Sequence, residues 1–147
     1  MGDTLDDFVN DLQQEIYDDA REAYGETGYQ RWMNPCYMGV IENPDGYCKV
    51  RGECGDSIEI YLKFDKGKVE KASFQTDGCI SSILCGSFAA EMAMGKDPEE
   101  LIEITGEAII KKMGKIPEKD RHCAFLAANT LQQALNDYMV KQTRKKV

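Results

Sequence analysis

The stretch from residue 57 to residue 79, SIEIYLKFDKGKVEKASFQTDGC, decides the fold. Ile58, Ile60, Leu62 and Phe64 alternate with Ser57, Glu59, Tyr61 and Lys63, which is the two-residue period of a strand with one face in a core. Asp65-Lys66-Gly67 reads as a hairpin turn, and Val69 to Thr76 supplies the return strand. Upstream, Tyr47 to Arg51 supplies a third strand, so the middle of the chain predicts a small antiparallel sheet. Both flanks read as helix. Between Asp3 and Tyr24 the apolar residues Leu5, Phe8, Val9, Leu12, Ile16 and Ala20 recur at steps of three and four, which sets them on one helical face, and Gly25 ends that helix. Residues 25–47, with Asn34-Pro35 and Asn43-Pro44-Asp45-Gly46, read as a long loop with turns. Loops of this length usually carry function. Asp97-Pro98-Glu99-Glu100 joins an N-cap, a proline at the first helical position and an acid at the third. Another helix starts near Glu118. From there Leu126, Thr130, Leu131, Ala134, Leu135, Tyr138 and Met139 line one face, and Lys141, Arg144, Lys145 and Lys146 complement the dipole of its last turns. The fold class is α+β.

A chain of 147 residues, 42% of them hydrophobic, is the size of one domain and buries a core without staples. Its longest apolar stretches, Ile80 to Cys85 and Phe125 to Ala128, are too short to span a bilayer, and no signal peptide opens the chain. A soluble, cytoplasmic protein is expected, with no membrane partner. Acidic residues outnumber basic ones by 26 to 18, and the net charge of -8 argues against nucleic acid, which selects a basic surface. Proteins are the expected partners. Six cysteines in a reducing compartment point to metal binding or thiol chemistry before disulfides.

The cysteines are not equivalent. Cys54-Gly55-Asp56 stands just before the first clear strand, and Gly55 lets the backbone turn tightly enough to aim both neighbouring side chains at one point. Cys54 lies in a polar turn where core packing does not explain it. Cys79 stands where the return strand gives way to a helix, and Cys123 stands in the first turns of the last helix. At both, the positive end of a helix dipole should lower the thiol pKa. His122, the sole histidine, is either an exposed helix-start residue or a ligand beside Cys123. Sulfur ligands with one imidazole suit an iron–sulfur cluster or zinc, and no CxxC pair chooses between them. Asp56 adds a harder oxygen that would ease release of a soft cluster. Cys36, Cys48 and Cys85 read either as small hydrophobes or as accessory thiols. An enzyme with a cysteine nucleophile would need a base, for which only His122 is available.

Several motifs in order resemble the iron–sulfur scaffold family of IscU and the N-terminal domain of NifU. Asn34-Pro35 with Gly39 resembles its Asn-Pro-x-x-x-Gly, Cys54-Gly55-Asp56 its Cys-Gly-Asp, Phe74 with Gly78-Cys79 its Phe-x-x-x-Gly-Cys, and His122-Cys123 its His-Cys. Gly95-Lys96 also fits. The resemblance covers about residues 28 to 140. It implies a SufE/NifU-like fold, a three-stranded antiparallel sheet packed by about five helices, with the helix at about 3–24 as an addition to one domain over 1–147. It implies Cys54, Cys79 and Cys123 as cluster ligands and sulfur acceptors, Asp56 as a lability residue and His122 as a candidate fourth ligand. It implies a non-catalytic scaffold for a transient 2Fe-2S cluster, supplied with sulfur by a cysteine desulfurase and emptied by iron–sulfur acceptor proteins. The alternative is a zinc-bound, SufU-like sulfur-transfer protein, although that branch carries Arg at the position of His122 and an insertion between the second and third cysteines. Zinc in purified protein fits both readings. Family members served by a dedicated chaperone carry Leu-Pro-Pro-Val-Lys before His-Cys; this chain has Ile116-Pro117-Glu118-Lys119-Asp120, which leaves that partner open. The further domains of a full NifU do not follow, so a standalone scaffold or a shortened piece of a longer one is expected.

Overall fold

The alternation at 57–64 does become a central strand. In the computed structural model, which describes residues 4–145, β1 (Gly46–Arg51), β2 (Ser57–Asp65) and β3 (Lys68–Thr76) form an antiparallel sheet in the order β1-β2-β3. Ile58, Ile60 and Leu62 are fully buried on one face of β2. Two helices cover that face: α2 (Ile80–Ala93) packs against β3, and α5 (His122–Lys145) lies across β1 and β2. Between them, α3 (Pro98–Ile102) starts at the expected capping box, with Asp97 Oδ1 accepting from Glu100 N and Glu100 Oε1 accepting from Asp97 N. Next, α4 (Gly106–Met113) wedges Ile109 and Met113 into the core between α2 and α5.

The N-terminal flank departs from expectation in two ways. Gly25 leaves helical geometry (φ 74°, ψ 176°), but the helix resumes at once, so α1 spans Thr4–Met33 with a kink inside it. The irregular stretch shrinks to residues 34–45. Tertiary packing overrides the turn-forming residues here. Arg31 donates to Glu91 Oε1 at 2.9 Å and to Ser87 Oγ at 3.0 Å, and its guanidinium lies over the Phe88 ring, while Tyr24, Gly28 and Tyr29 are buried. The second departure concerns the predicted apolar face. Only Ala20 is buried; Leu5, Phe8, Val9, Leu12 and Ile16 are between 49% and 65% exposed. Periodicity marks a helical stripe whether or not anything covers it. Of the residues in the expected helices, Asp3 and Lys146 lie outside the described range. At the other flank, Glu118–Asp120 form a short 3-10 turn, and α5 proper begins at His122.

Phe74 shows why glycine follows at residue 86. Its fully buried ring sits where a Cβ on Gly86 would come within 2.5 Å of Cδ2. Gly86→Ala is therefore expected to lower the unfolding free energy by roughly 1–3 kcal/mol through overpacking, measurable as an earlier denaturant midpoint. An unchanged midpoint would show that β3 and α2 have room to separate.

Candidate metal centre

Strand register assembles the centre. Ile58 pairs with Thr76, so the residue before β2 and the residues after β3 emerge side by side at one sheet edge. That edge is pinned: Thr76 Oγ1 donates to Ser57 O at 2.7 Å, Gly78 N donates to Thr76 Oγ1 at 3.0 Å, and Ser57 N donates to Asp77 Oδ1 at 2.7 Å. The backbone amide of Ser57 holds the Asp77 carboxyl below its ordinary range. Asp77 thus caps the start of β2, which leaves the Asp56 side chain for another task. Gly52 N donates to Asp56 O and Gly55 N to Gly52 O, closing the 52–56 loop with Gly55 at φ +93°.

Asp56 turns inward. Its carboxylate, the Cys79 thiol and the Cys123 thiol have ligand atoms within 4.8 Å of one another. Cys79 is the exposed N-cap residue of α2, and Cys123, in the first turn of α5, is fully buried. Ser82, which the sequence reading missed, links them: its Oγ lies 3.0 Å from Asp56 Oδ2 and 3.6 Å from Cys123 Sγ. The available signal was its place three residues after Cys79, one helical turn along the same face. Gly78 clears the space, because a Cβ there would stand 2.6 Å from Ser82 Oγ and 2.7 Å from Asp56 Oδ2. Gly78→Ala is accordingly expected to displace the carboxylate and weaken Zn2+ binding at least tenfold, as read by chelator competition; parent-like affinity would show that Asp56 moves aside freely.

His122 stands next to this group, with Nε2 3.6 Å from Cys123 Sγ. Its Nδ1 lies 3.0 Å from Lys119 O. A carbonyl can only accept, so Nδ1 carries the proton and the Nε2 lone pair faces the thiol, the tautomer a metal ligand requires. Cys54 is not part of the group. It is exposed and lines an open groove of about 720 Å³ with His122, Phe125, Leu126 and Asn129. Gly55 thus sends its two neighbours to different places, Asp56 inward and Cys54 to the rim, where a common target was expected.

A second expectation fails at Cys123. Burial pushes its thiol up to about 12, the Ser82 hydrogen bond lowers it only partly, and the charges of Cys79, Asp120 and Cys54 add to the rise. Desolvation outweighs the helix start, so in the metal-free protein Cys123 is a neutral thiol.

A family model described as the NifU-like N-terminal domain matches residues 23–145. The chain belongs to that family. IscU 1 of Archaeoglobus fulgidus, an iron–sulfur cluster assembly scaffold protein, is 39% identical over 119 residues, covering 80% of this chain and 78% of the relative. The scaffold protein IscU of Aquifex aeolicus is 32% identical over 124 residues, covering 82% and 79%. In fold, the chain resembles the crystal structure of a NifU-like N-terminal protein from Brucella abortus, with a TM-score of 0.66 and 20% identity over 82% of this chain and 97% of the other.

The other three cysteines of this NifU-like domain sit apart from the group. Cys85 is buried with its Sγ 3.7 Å from Met113 Sδ, and burial holds its thiol well above the ordinary range. Cys48, half-buried on β1, feels the charge of Asp137, which is fourteen residues beyond Cys123 on α5, or about 21 Å at 1.5 Å per residue. Cys36 is exposed, and its carbonyl accepts from Ser87 Oγ, two turns along α2 from Cys79. Among the described residues no helix is long and apolar enough to cross a membrane.

Proposed function

We propose that this chain is a scaffold on which a 2Fe-2S cluster is built and from which it passes to acceptor proteins. The observation that carries this reading is the convergence of Asp56, Cys79 and Cys123 within 4.8 Å, from three separate chain segments, in a chain 39% identical to a cluster-assembly scaffold. Two thiols and a carboxylate supply soft ligands for iron together with one weak ligand. His122 Nε2 and Cys54 complete the set, Cys54 by movement of its glycine-flanked loop.

Exposure supports an order of steps, since Cys54 and Cys79 are exposed and Cys123 is buried. Cys54, at the rim, is the thiol that a cysteine desulfurase's persulfide reaches first. Its thiolate attacks the outer sulfur, the S–S bond of the donor breaks, and the desulfurase cysteine leaves as thiolate. Two electrons from a separate reductant then convert that sulfur to sulfide as ferrous iron enters. The protein carries and positions the cluster and is not itself a catalyst. Free thiols in this number suit a reducing compartment such as the cytoplasm.

The test is reconstitution with a cysteine desulfurase, cysteine, ferrous iron and a reductant, followed by visible absorbance and circular dichroism. The parent is expected to develop a cluster spectrum and pass it to an apo-ferredoxin, and Cys54→Ser and Cys79→Ser to lose most of it. A parent that forms no cluster, yet accepts persulfide sulfur when loaded with zinc alone, would make the protein a sulfur carrier instead.

A further inference from the structure

Three side chains outside the ligand set form one hydrogen-bonded line through the molecule. The Tyr24 hydroxyl lies 2.6 Å from Ser81 Oγ, and Ser81 Oγ donates to Asp120 Oδ2 at 3.1 Å. A serine hydroxyl has a single proton and a carboxylate can only accept, so the proton of Ser81 goes to Asp120 and Tyr24 is the donor to Ser81. Each residue comes from a different element. Tyr24 is the last residue of α1 before the Gly25 kink, Ser81 sits two residues after Cys79 in the first turn of α2, and Asp120 ends the 3-10 turn whose Lys119 carbonyl holds His122. The negative charge of Asp120 is close enough to act on the thiols of Cys123 and Cys85 and on Tyr24 itself.

The line is built rather than incidental. Ser81 is fully buried and Tyr24 is 7% exposed, so loss of one partner orphans a polar group away from water. Gly28 makes room for the tyrosine, since a Cβ there would stand 2.7 Å from Tyr24 Cβ. Packing alone would be served equally by phenylalanine.

We propose that Tyr24, Ser81 and Asp120 are positioning residues that tie the segment bearing Cys79 to the segment bearing His122 and Cys123, and that through Tyr24 the kinked α1 is coupled to retention of the metal cargo. The coupling to a cluster rests on the scaffold reading; the positioning does not. Residues 4–22 of α1 lie before the range matched by the family model, which places Tyr24 where the appended helix meets the shared domain. A force or a partner acting on that helix would reach the thiols through these two hydrogen bonds.

The experiment loads the full-length protein with Co2+ alone, follows the thiolate-to-cobalt charge-transfer band and measures release to excess chelator. Tyr24→Phe and Ser81→Ala are expected to release Co2+ roughly three- to tenfold faster than the parent. The double variant should be no faster than Ser81→Ala, because one line has been cut twice. Ser81→Thr, which keeps the hydroxyl, and Asp120→Asn, which keeps an acceptor oxygen, should stay within twofold of the parent. Leu101→Ala, in the buried contact of α3, controls for stability. If it speeds release as much as Tyr24→Phe does, or if Tyr24→Phe and Ser81→Ala release at the parental rate, the inference is overturned. A parent that takes up no Co2+ overturns it as well. Failure of cluster reconstitution alone would remove the scaffold reading and leave the cobalt result standing.

Discussion

Cys123→Ser is expected to abolish cluster formation, with less than about a tenth of the parental absorbance remaining, because Cys123 is the proposed ligand that no movement of a surface loop can replace. Its thiol is fully buried and anchored by the first turn of α5, between Ser82 Oγ and His122 Nε2. The same burial sets a pH signature. With the thiol pushed up to about 12, metal uptake near neutrality must expel its proton, so this thiol makes Zn2+ affinity rise about tenfold per pH unit. In the metal-free protein the sign reverses. The folded state holds the proton more tightly than the unfolded chain, whose thiol titrates near its ordinary value of 9.0. This group's contribution is therefore complete below about pH 9 and is lost as pH rises toward 12, at up to about 1.4 kcal/mol per unit. Thermal melts from pH 8 to 11 should show a steeper fall in the parent than in Cys123→Ser. Parallel curves would mean that water reaches the thiol.

The sheet was legible in the sequence because its period is local: Ile58, Ile60, Leu62 and Phe64 alternate on a face that the fold buries, apart from half-buried Phe64 at the far end. The capping box at Asp97 was legible for the same reason. What failed depends on distant residues. Gly25 breaks helical geometry as glycine can, but whether the chain resumes a helix is decided by Arg31 meeting Glu91 and Phe88, sixty residues away. The stripe from Leu5 to Ile16 has helical period whether or not a core lies beneath it. In the centre, residue types and motif order pointed to Cys54, Asp56, Cys79, His122 and Cys123; the structure brings Asp56, Cys79 and Cys123 within 4.8 Å of one another with His122 beside Cys123, but Cys54 stands apart, because direction did not follow. Nothing local says that Gly55 turns Asp56 inward and Cys54 outward, or that the helix-start cysteine at 123 is desolvated beyond what the dipole offsets. Ser82 was missed because its spacing from Cys79 is only a weak signal until Asp56 and Cys123 are placed beside it.

Asp56→Ala is expected to hold its cluster longer than the parent, with absorbance in air decaying about tenfold more slowly and transfer to an apo-acceptor slowed alongside. The carboxylate sits with its oxygen in the same 4.8 Å group as the two thiols, where, on the proposed scaffold reading, it would be the hardest donor offered to a soft cluster and so the first to let go. It also brings hydrogen-bonding capacity, at present used by Ser82 Oγ at 3.0 Å, that can guide water to iron. The competing explanation, that Asp56 only shapes the turn before β2, predicts a loss of thermal stability with no gain in cluster lifetime. Geometry weighs against it. The amide of Ser57 is capped by Asp77 at 2.7 Å, and the loop closes through the backbone oxygen of Asp56, which alanine retains. Removing the carboxylate leaves Ser82 free to turn fully toward Cys123 Sγ, already 3.6 Å away, so the variant should fold normally. A cluster that decays as fast in Asp56→Ala as in the parent, at equal melting temperature, would show that release is governed elsewhere, and the exposed Cys54 on its glycine-flanked turn would become the first residue to test.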